Sequence, residues 1–288
     1  MGVLLSVIVI WESPESGSRL LGGPKHQEYN MKKFALLFAT LLTCSAAIPA
    51  GAEGWYLRGT LGFEWSLSAD YSDTDSTATN PPALFGAGPG RDGQPIGADG
   101  DFGRFPLVEA AVGKQILPWL RSELAVAYRP DMQYRGQTNF RGVPGEQSVS
   151  ANADSLSGMA NLFLDIAGLF GVNLGSFQPY MGGGIGVTHN RLSEMTYNFP
   201  SNPGAHKITI TPTGKNTDIA FMVAIGTGIA LSDRILLDSS YLYTDLCQVH
   251  TDAGKAYLNN IPAGIDIAET WAPLRTHGVF AGVRYLFP

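Results

Sequence analysis

The chain has 288 residues, 44% hydrophobic and 15% charged, with 35 glycines and a net charge of −6. Beyond residue 52 no stretch is apolar for the roughly 20 residues that a membrane helix needs, and the acidic balance gives no support for nucleic-acid binding. Low charge and abundant glycine without such a helix fit a chain whose hydrophobicity is spread over alternate positions.

The N-terminal region predicts export. Lys32 and Lys33 follow Met31, Phe34 to Leu42 is apolar, and Ala50-Gly51-Ala52 has the small-residue form of a cleavage site. A secretory signal is therefore expected over 31–52, with the mature chain starting at Glu53. Residues 1–30 hold a short apolar run, Val3 to Trp11, too short to span a bilayer. They are expected to be an extension from a mis-assigned start, since Gln27-Glu28 can be encoded by a purine-rich ribosome-binding sequence ahead of Met31; the alternative is an extended signal peptide. Leu41-Leu42-Thr43-Cys44 is a poor lipoprotein site beside the cleavage site downstream. With Cys44 in the signal, Cys247 stands alone, so no intramolecular disulfide forms. Removing 1–52 takes away four basic and three acidic residues, and the net charge goes from −6 to −7.

Strands follow from a period of two, because successive side chains point to opposite faces. Trp55–Trp65 puts Trp55, Leu57, Gly59, Leu61, Phe63 and Trp65 on one face and Tyr56, Arg58, Thr60, Gly62 and Glu64 on the other. A long polar loop, Ser66–Gly103, follows. Its Asp70, Asp73 and Asp75 lack the spacing of an EF-hand loop and read as solvated, so no metal is expected. Arg104–Gly113 sets Pro106, Val108, Ala110 and Val112 against Glu109. After the link Lys114–Trp119, Leu120–Arg129 sets Leu120, Leu124, Val126 and Tyr128 against Arg121, Glu123 and Arg129. Pro130–Asn152 reads as a second long loop.

Asp154–Ile166 carries Leu156, Ala160, Leu162, Leu164 and Ile166 against Ser157, Asn161 and Asp165. The link Ala167–Ser176 is apolar and glycine-rich, as a turn lying at a membrane surface would be. Pro179–Asn190 alternates Met181, Gly183, Ile185 and Val187 with Gly182, Gly184 and Gly186, glycines that in a strand mark bending or large side chains arriving from across. Arg191–Asn216 is a third loop. Thr217–Leu231 has Ile219, Phe221, Val223, Ile225 and Ile229 on one side. Ser232–Arg234 is a tight turn. Ile235–Asp245 sets Leu237, Tyr241 and Tyr243 against Asp238 and Ser240. Leu246–Ala272 is a fourth loop. Thr276–Phe287 alternates His277, Val279, Ala281, Val283, Tyr285 and Phe287 with Gly278, Phe280, Gly282 and Arg284.

Eight strands with long connections after the odd ones and short links after the even ones predict an all-β, closed, antiparallel up-and-down transmembrane barrel. Long loops then lie outside the cell, with both termini and the short turns in the periplasm. The apolar faces point to lipid. Trp55, Trp65, Tyr128, Tyr241, Tyr243, Tyr285 and Phe287 would form the aromatic girdles. Arg58, Glu64, Glu109, Arg121, Glu123, Arg129, Asp165, Asp238 and Arg284 would meet in the lumen, which eight strands leave just wide enough for side chains to fill. Buried charges of this kind must pair.

The terminal run Val279, Ala281, Val283, Tyr285, Phe287 resembles the last strand of bacterial outer-membrane barrels, from which it departs by the added Pro288. The resemblance implies that these residues are the signal read by the barrel-assembly machinery. The chain from 53 to 288 resembles the small eight-stranded outer-membrane barrels that include the opacity proteins and the membrane domain of outer-membrane protein A. Trp119-Leu120-Arg121-Ser122-Glu123-Leu124 and Gln178-Pro179-Tyr180-Met181-Gly182-Gly183-Gly184-Ile185-Gly186 carry it. It implies the outer membrane of a Gram-negative-type envelope, and no peptidoglycan-binding domain is expected after the barrel.

For function, the expectation is a non-enzymatic barrel sealed by its charges, without cofactor, showing its loops to a host or cell-surface ligand or supporting envelope integrity. The alternative is a narrow porin, or a lateral transporter of small apolar molecules opening near Pro106 and Gly182–Gly186. A soluble lipocalin-like binder would turn the apolar face inward. For an enzyme, a His must lie within reach of a nucleophile and be oriented by a third group. His189 and His250 have no signature, and Gly278-Val279 after His277 is not the His-x-Ser-Asn arrangement of the lipid-A deacylase barrels.

Overall fold

The computed structural model describes residues 54–202, 208–258 and 261–288. The extension and signal expected over 1–52 lie outside the described residues. Eight strands form the wall. They are β1 (Trp55–Ser66), β2 (Arg104–Leu117), β3 (Leu120–Thr138), β4 (Ser148–Asp165), β5 (Phe177–Leu192), β6 (Gly214–Ala230), β7 (Ile235–Thr251) and β8 (Thr270–Leu286). Each pairs antiparallel with the next. β8 then pairs with β1 from Tyr56↔Leu286 to Ser66↔Thr276, which closes the ring. A closed ring leaves no row of bare N–H and C=O groups in the wall, the condition for a sheet to sit in lipid.

The faces follow the alternation. Leu61, Phe63, Leu124, Val126, Leu162, Ile185, Phe221, Val223 and Val279 are exposed on the outside, while Arg58, Glu64, Glu109, Glu123 and Arg129 are buried inside. A soluble barrel has the reverse. No helix among the described residues is long and apolar enough to cross a membrane, and the crossing is made by strands.

Several strands run well past their expected ends. Pro130–Asn152 is mostly wall, since β3 reaches Thr138 and β4 starts at Ser148, leaving 139–147 as the connection. β5 starts at Phe177 and reaches Leu192, and β6 starts at Gly214; β7 reaches Thr251, and β8 starts at Thr270. Short strands at Ser72–Asp73 and Ala98–Asp101 pair with β8 and β3. Thr196–Asn198 adds to β4, and Ile208–Ile210, Gly254–Leu258 and Ile261–Ile267 extend that addition in turn.

The physical reason is an inversion of polarity along the wall. In the outer part of β3, Met132 and Tyr134 point in and are buried, while Asp131, Gln133 and Arg135 point out into solvent. Val149, Ala151 and Ala153 of β4 and Ala272 and Leu274 of β8 do the same. There the ring is packed like a soluble protein, around a core that includes Tyr71, Phe102, Met132, Tyr134, Met195, Tyr197 and Leu246. Two bulges add a shift of phase. Between Arg129 and Met132 the register slips, with Asp131 at φ 55°, and between Asp245 and Gln248 it slips again, with Cys247 at φ 63°. The inward set of β3 thereby passes from odd to even numbers, and that of β7 from even to odd.

At the other end the connections are short: Pro118–Trp119, 166–176 and 231–234. Ile166, expected as a lipid-facing strand residue, opens the short helix α1 (Ile166–Phe170), which Gly171 ends at φ 64°. β8 stops at Leu286, so Phe287 lies just beyond the strand, although its N–H still donates to the Trp55 carbonyl at 2.9 Å.

Candidate functional site

The lumen at the level of the exposed apolar wall holds the nine charged residues in four groups. Arg58 of β1 reaches across to β2 and β3: its Nη2 lies 2.8 Å from Glu109 Oε1 and also pairs with Glu123 Oε1, while Nε donates to Glu123 Oε2 at 3.0 Å. Tyr56 Oη donates to the same Glu123 oxygen at 3.2 Å. Glu64, fully buried, accepts from Arg129 Nε and, at 3.2 Å each, from Arg129 Nη2 and Thr276 Oγ1. Arg284 grips Asp238 with two bonds of 3.0 and 2.7 Å, the fork geometry that suits a guanidinium to a carboxylate. Arg121 bonds Asp165 at 3.0 Å, and Gln115 holds the other oxygen of Asp165 at 3.0 Å. The nine therefore form separate pairs and one triad rather than a single continuous network. Four arginines face five carboxylates, and Arg58 serves two of them.

Aromatic rings fill the space between the pairs. Arg121 lies 4.7 Å from the Tyr180 ring and 5.0 Å from that of Phe163, and Arg284 lies 5.5 Å from the ring of Tyr56. Each ring reaches its place over a glycine directly opposite on the next strand. Tyr56 covers Gly113 and Phe163 covers Gly182, so closely that a Cβ at either glycine would fall inside the ring. Of the inward glycines of β5, Gly182 is thus the seat of a ring, whereas Gly184 and Gly186 lie against the Asn161 and Met159 side chains of the adjoining strand. Sequence reading allowed for large side chains here but did not name them; an aromatic in register with a glycine is the signal that finds them. What enclosed space remains among Arg58, Glu109, Arg121, Tyr180 and Ser240 is about 10 Å³, room for about one water.

The expected gap residues lie in paired wall. Gly182–Gly186 is in register with both β4 and β6 without interruption. Pro106 pairs with Phe63 of β1, but on its other side the β2–β3 ladder begins only at Val108↔Tyr128. Buried Phe102, Phe105 and Leu107 stand behind that seam.

The outward aromatics occupy both ends of the apolar band. Trp55 and Trp65 lie at the two ends of β1, in register with Lys114 and Arg104, each cation 5.3 Å from its ring. Their separation of ten residues at about 3.3 Å each, tilted by about 40°, spans roughly 25 Å, the height of a barrel's apolar band. Tyr128, Tyr241 and Tyr243 are exposed on the outside of β3 and β7. The Tyr285 and Phe287 rings stack edge-to-face at 5.5 Å at the short-turn end, where the outward Val279, Ala281 and Val283 lead down to them. His277 bonds Tyr241 Oη at 3.2 Å on the outer face, His189 bonds Thr217 at 2.9 Å and His250 bonds Gln248 at 2.9 Å.

Asp70, Asp73 and Asp75 do not converge. Asp70 takes a bond from Ser68 and Asp75 from Thr77, whereas the Asp73 carboxylate accepts the backbone N–H groups of Leu84, Phe85 and Gly86 at 2.8 to 3.2 Å. No group of metal-ligating residues occurs among the described residues.

A ring of eight antiparallel strands, greasy outside and ionic within, defines a transmembrane β-barrel. The chain belongs to the outer membrane protein beta-barrel domain family, whose model matches residues 34–287, and its place is the outer membrane of a Gram-negative envelope. It is 27% identical to outer membrane protein PagN of Salmonella typhimurium over 135 residues, 44% of this chain and 52% of that protein, so it spans about half the length of that curated relative. Among solved structures it is similar to OprG of Pseudomonas aeruginosa, with 16% identity and a TM-score of 0.44 over 84% of this chain and 99% of that one. It is also similar to Neisserial surface protein A, with 15% identity and a TM-score of 0.41 over 83% and 100%.

Proposed function

We propose that this chain is a non-enzymatic outer-membrane barrel, closed to ions, whose rigid outer end serves recognition or adhesion or supports the envelope. The carrying observation is the double closure of the lumen. Four arginines and five carboxylates fill its membrane level, and above them Met132, Tyr134, Met195 and Leu246 are fully buried. An ion entering would have to displace both an apolar core and a set of bidentate pairs. The three described histidines bond Thr217, Gln248 and Tyr241 rather than a nucleophile and a carboxylate, which supports a role without catalysis.

The outer end supports a display role because its connections are held by sheet and by Asp73, and rigid presentation lowers the ordering cost of binding. Between 67 and 103 six aspartates stand against one arginine, so a basic or neutral surface ligand suits it better than a polyanion. The assembly machinery would read Val279, Ala281, Val283, Tyr285 and Phe287. Planar bilayers containing the purified chain should stay silent while cells displaying it retain surface binding; reproducible channel openings would refute the closure.

A second reading, lateral passage of small apolar molecules, draws on the open β2–β3 seam above Val108. It requires vesicles carrying the chain to take up such molecules faster than vesicles carrying a variant cross-linked between β2 and β3.

A further inference from the structure

The connection between β4 and β5 is unlike the others at its end of the barrel. Residues 166–177 contain no Asp, Glu, Lys or Arg, in a chain that is 15% charged. The neighbouring turn 231–234 carries Asp233 and Arg234 within four residues. α1 buries none of its residues. Phe170 is 70% exposed, more than Leu124 at 64% or Val223 at 62% in the middle of the lipid-facing wall. Leu169, Val172, Leu174 and Phe177 are exposed as well. An apolar patch of this kind in water is a liability unless something covers it.

Several backbone groups of this connection are paired locally or with the neighbouring turns. Val172 N–H donates to Ala167 at 3.0 Å, Gly175 N–H to the Asn173 side chain at 2.9 Å and Phe177 N–H to Leu174 at 3.3 Å. Ala230 N–H donates to the Ser176 carbonyl at 2.9 Å, and Asp165 N–H donates to the Trp119 carbonyl at 2.9 Å. Internally satisfied backbone is what entry into an apolar medium requires. The segment is also held in place: Gly168 lies so close to the Pro118 carbonyl that a Cβ there would overlap it. A groove of about 480 Å³ runs from Ile166, the first residue of the connection, past Pro179 and Met181 to Ile225, Tyr241 and Val279 of the wall that faces hydrocarbon.

We propose that the 166–177 connection is a membrane-skimming anchor, laid into the periplasmic leaflet with Phe170, Val172 and Leu174 at the boundary of headgroups and acyl chains. The occupant of this face is phospholipid, because the connection adjoins the lipid-facing wall at Ile166 and carries no charge that would have to leave water.

The test uses the full chain with Cys44 and Cys247 changed to Ser, reconstituted in phospholipid bilayers, with a nitroxide attached at Phe170→Cys, Leu174→Cys or, as an aqueous reference, Asp233→Cys. Relaxation by oxygen and by a water-soluble nickel chelate is then compared. At 170 and 174 oxygen should dominate and the chelate should be at least about fivefold less effective than at 233. Equal chelate access at all three sites overturns the proposal and leaves the patch free for a periplasmic protein. Variants are scored only after a mobility shift on boiling shows that the barrel has formed, and a nitroxide at Val172 replaces any that fails.

Discussion

Glu64 is the clearest case of a single side chain fixing its surroundings. It has no contact with solvent and takes bonds from Arg129 and Thr276, so Glu64→Gln removes the counter-charge of the Arg129 guanidinium and turns one of the carboxylate's two accepting oxygens into an amide donor. Removing one partner of a buried pair costs about 3–5 kcal/mol. Replacing both partners by apolar groups of similar size is far milder. Urea unfolding in micelles should therefore show Glu64→Gln destabilised by about that amount and Glu64→Leu with Arg129→Met largely recovered. Additive losses in the double variant would contradict the pairing. Asp73 acts in the same way outside the membrane. Its carboxylate gathers three consecutive backbone N–H groups, and bonds to a charged group contribute about 1.5–3 kcal/mol each. Asp73→Ala should leave the barrel folded but release 67–103 to rapid amide exchange and to protease. Unchanged protection would show that the loop is held elsewhere.

Among the elements, β5 and β3 show what can and cannot be read ahead of coordinates. Gly182 of β5 is the seat of the Phe163 ring, so Gly182→Val must push Phe163 off Arg121. Overpacking of this kind costs about 1–3 kcal/mol and should lower the unfolding midpoint of the variant, whereas Gly158→Val, on the open outer face, should leave it nearly unchanged. The membrane half of every strand was legible in the sequence, because Leu124 and Val126 alternate with Glu123 and Arg129 under one rule. The outer half was not. Beyond Asp131 the same strand continues with Met132 and Tyr134 inside and Gln133 and Arg135 outside, so the polarity inverts just where a bulge also shifts the phase. In β3 the two changes cancel, so Met132 and Tyr134 keep the even numbers of Leu124 and Val126, and what makes this wall resemble loop is the Pro130-Asp131 break and the polar residues that follow it. β4 has the inversion without a bulge, in Val149, Ala151 and Ala153, and its small and polar neighbours hid it as well. The nine lumen charges could be placed on the inward face from alternation; which arginine takes which carboxylate depends on neighbours across the ring, and the ring geometry is absent from any single strand.

For the whole molecule, the inversion defines where the membrane ends. Below it the wall is apolar outside and ionic inside; above it the wall is polar outside and apolar inside, as in a soluble protein. The outer end is therefore a folded extension of the barrel carrying side sheets, with an apolar core above the ionic level of the lumen. The most direct measurement is a cysteine scan along β3, in a background with Cys44 and Cys247 replaced by Ser, using a membrane-impermeant maleimide on intact cells. Gln133→Cys and Arg135→Cys should label rapidly, while Leu124→Cys and Val126→Cys stay unlabelled until detergent is added. Labelling of 124 and 126 on intact cells would put the apolar face in water and contradict the account.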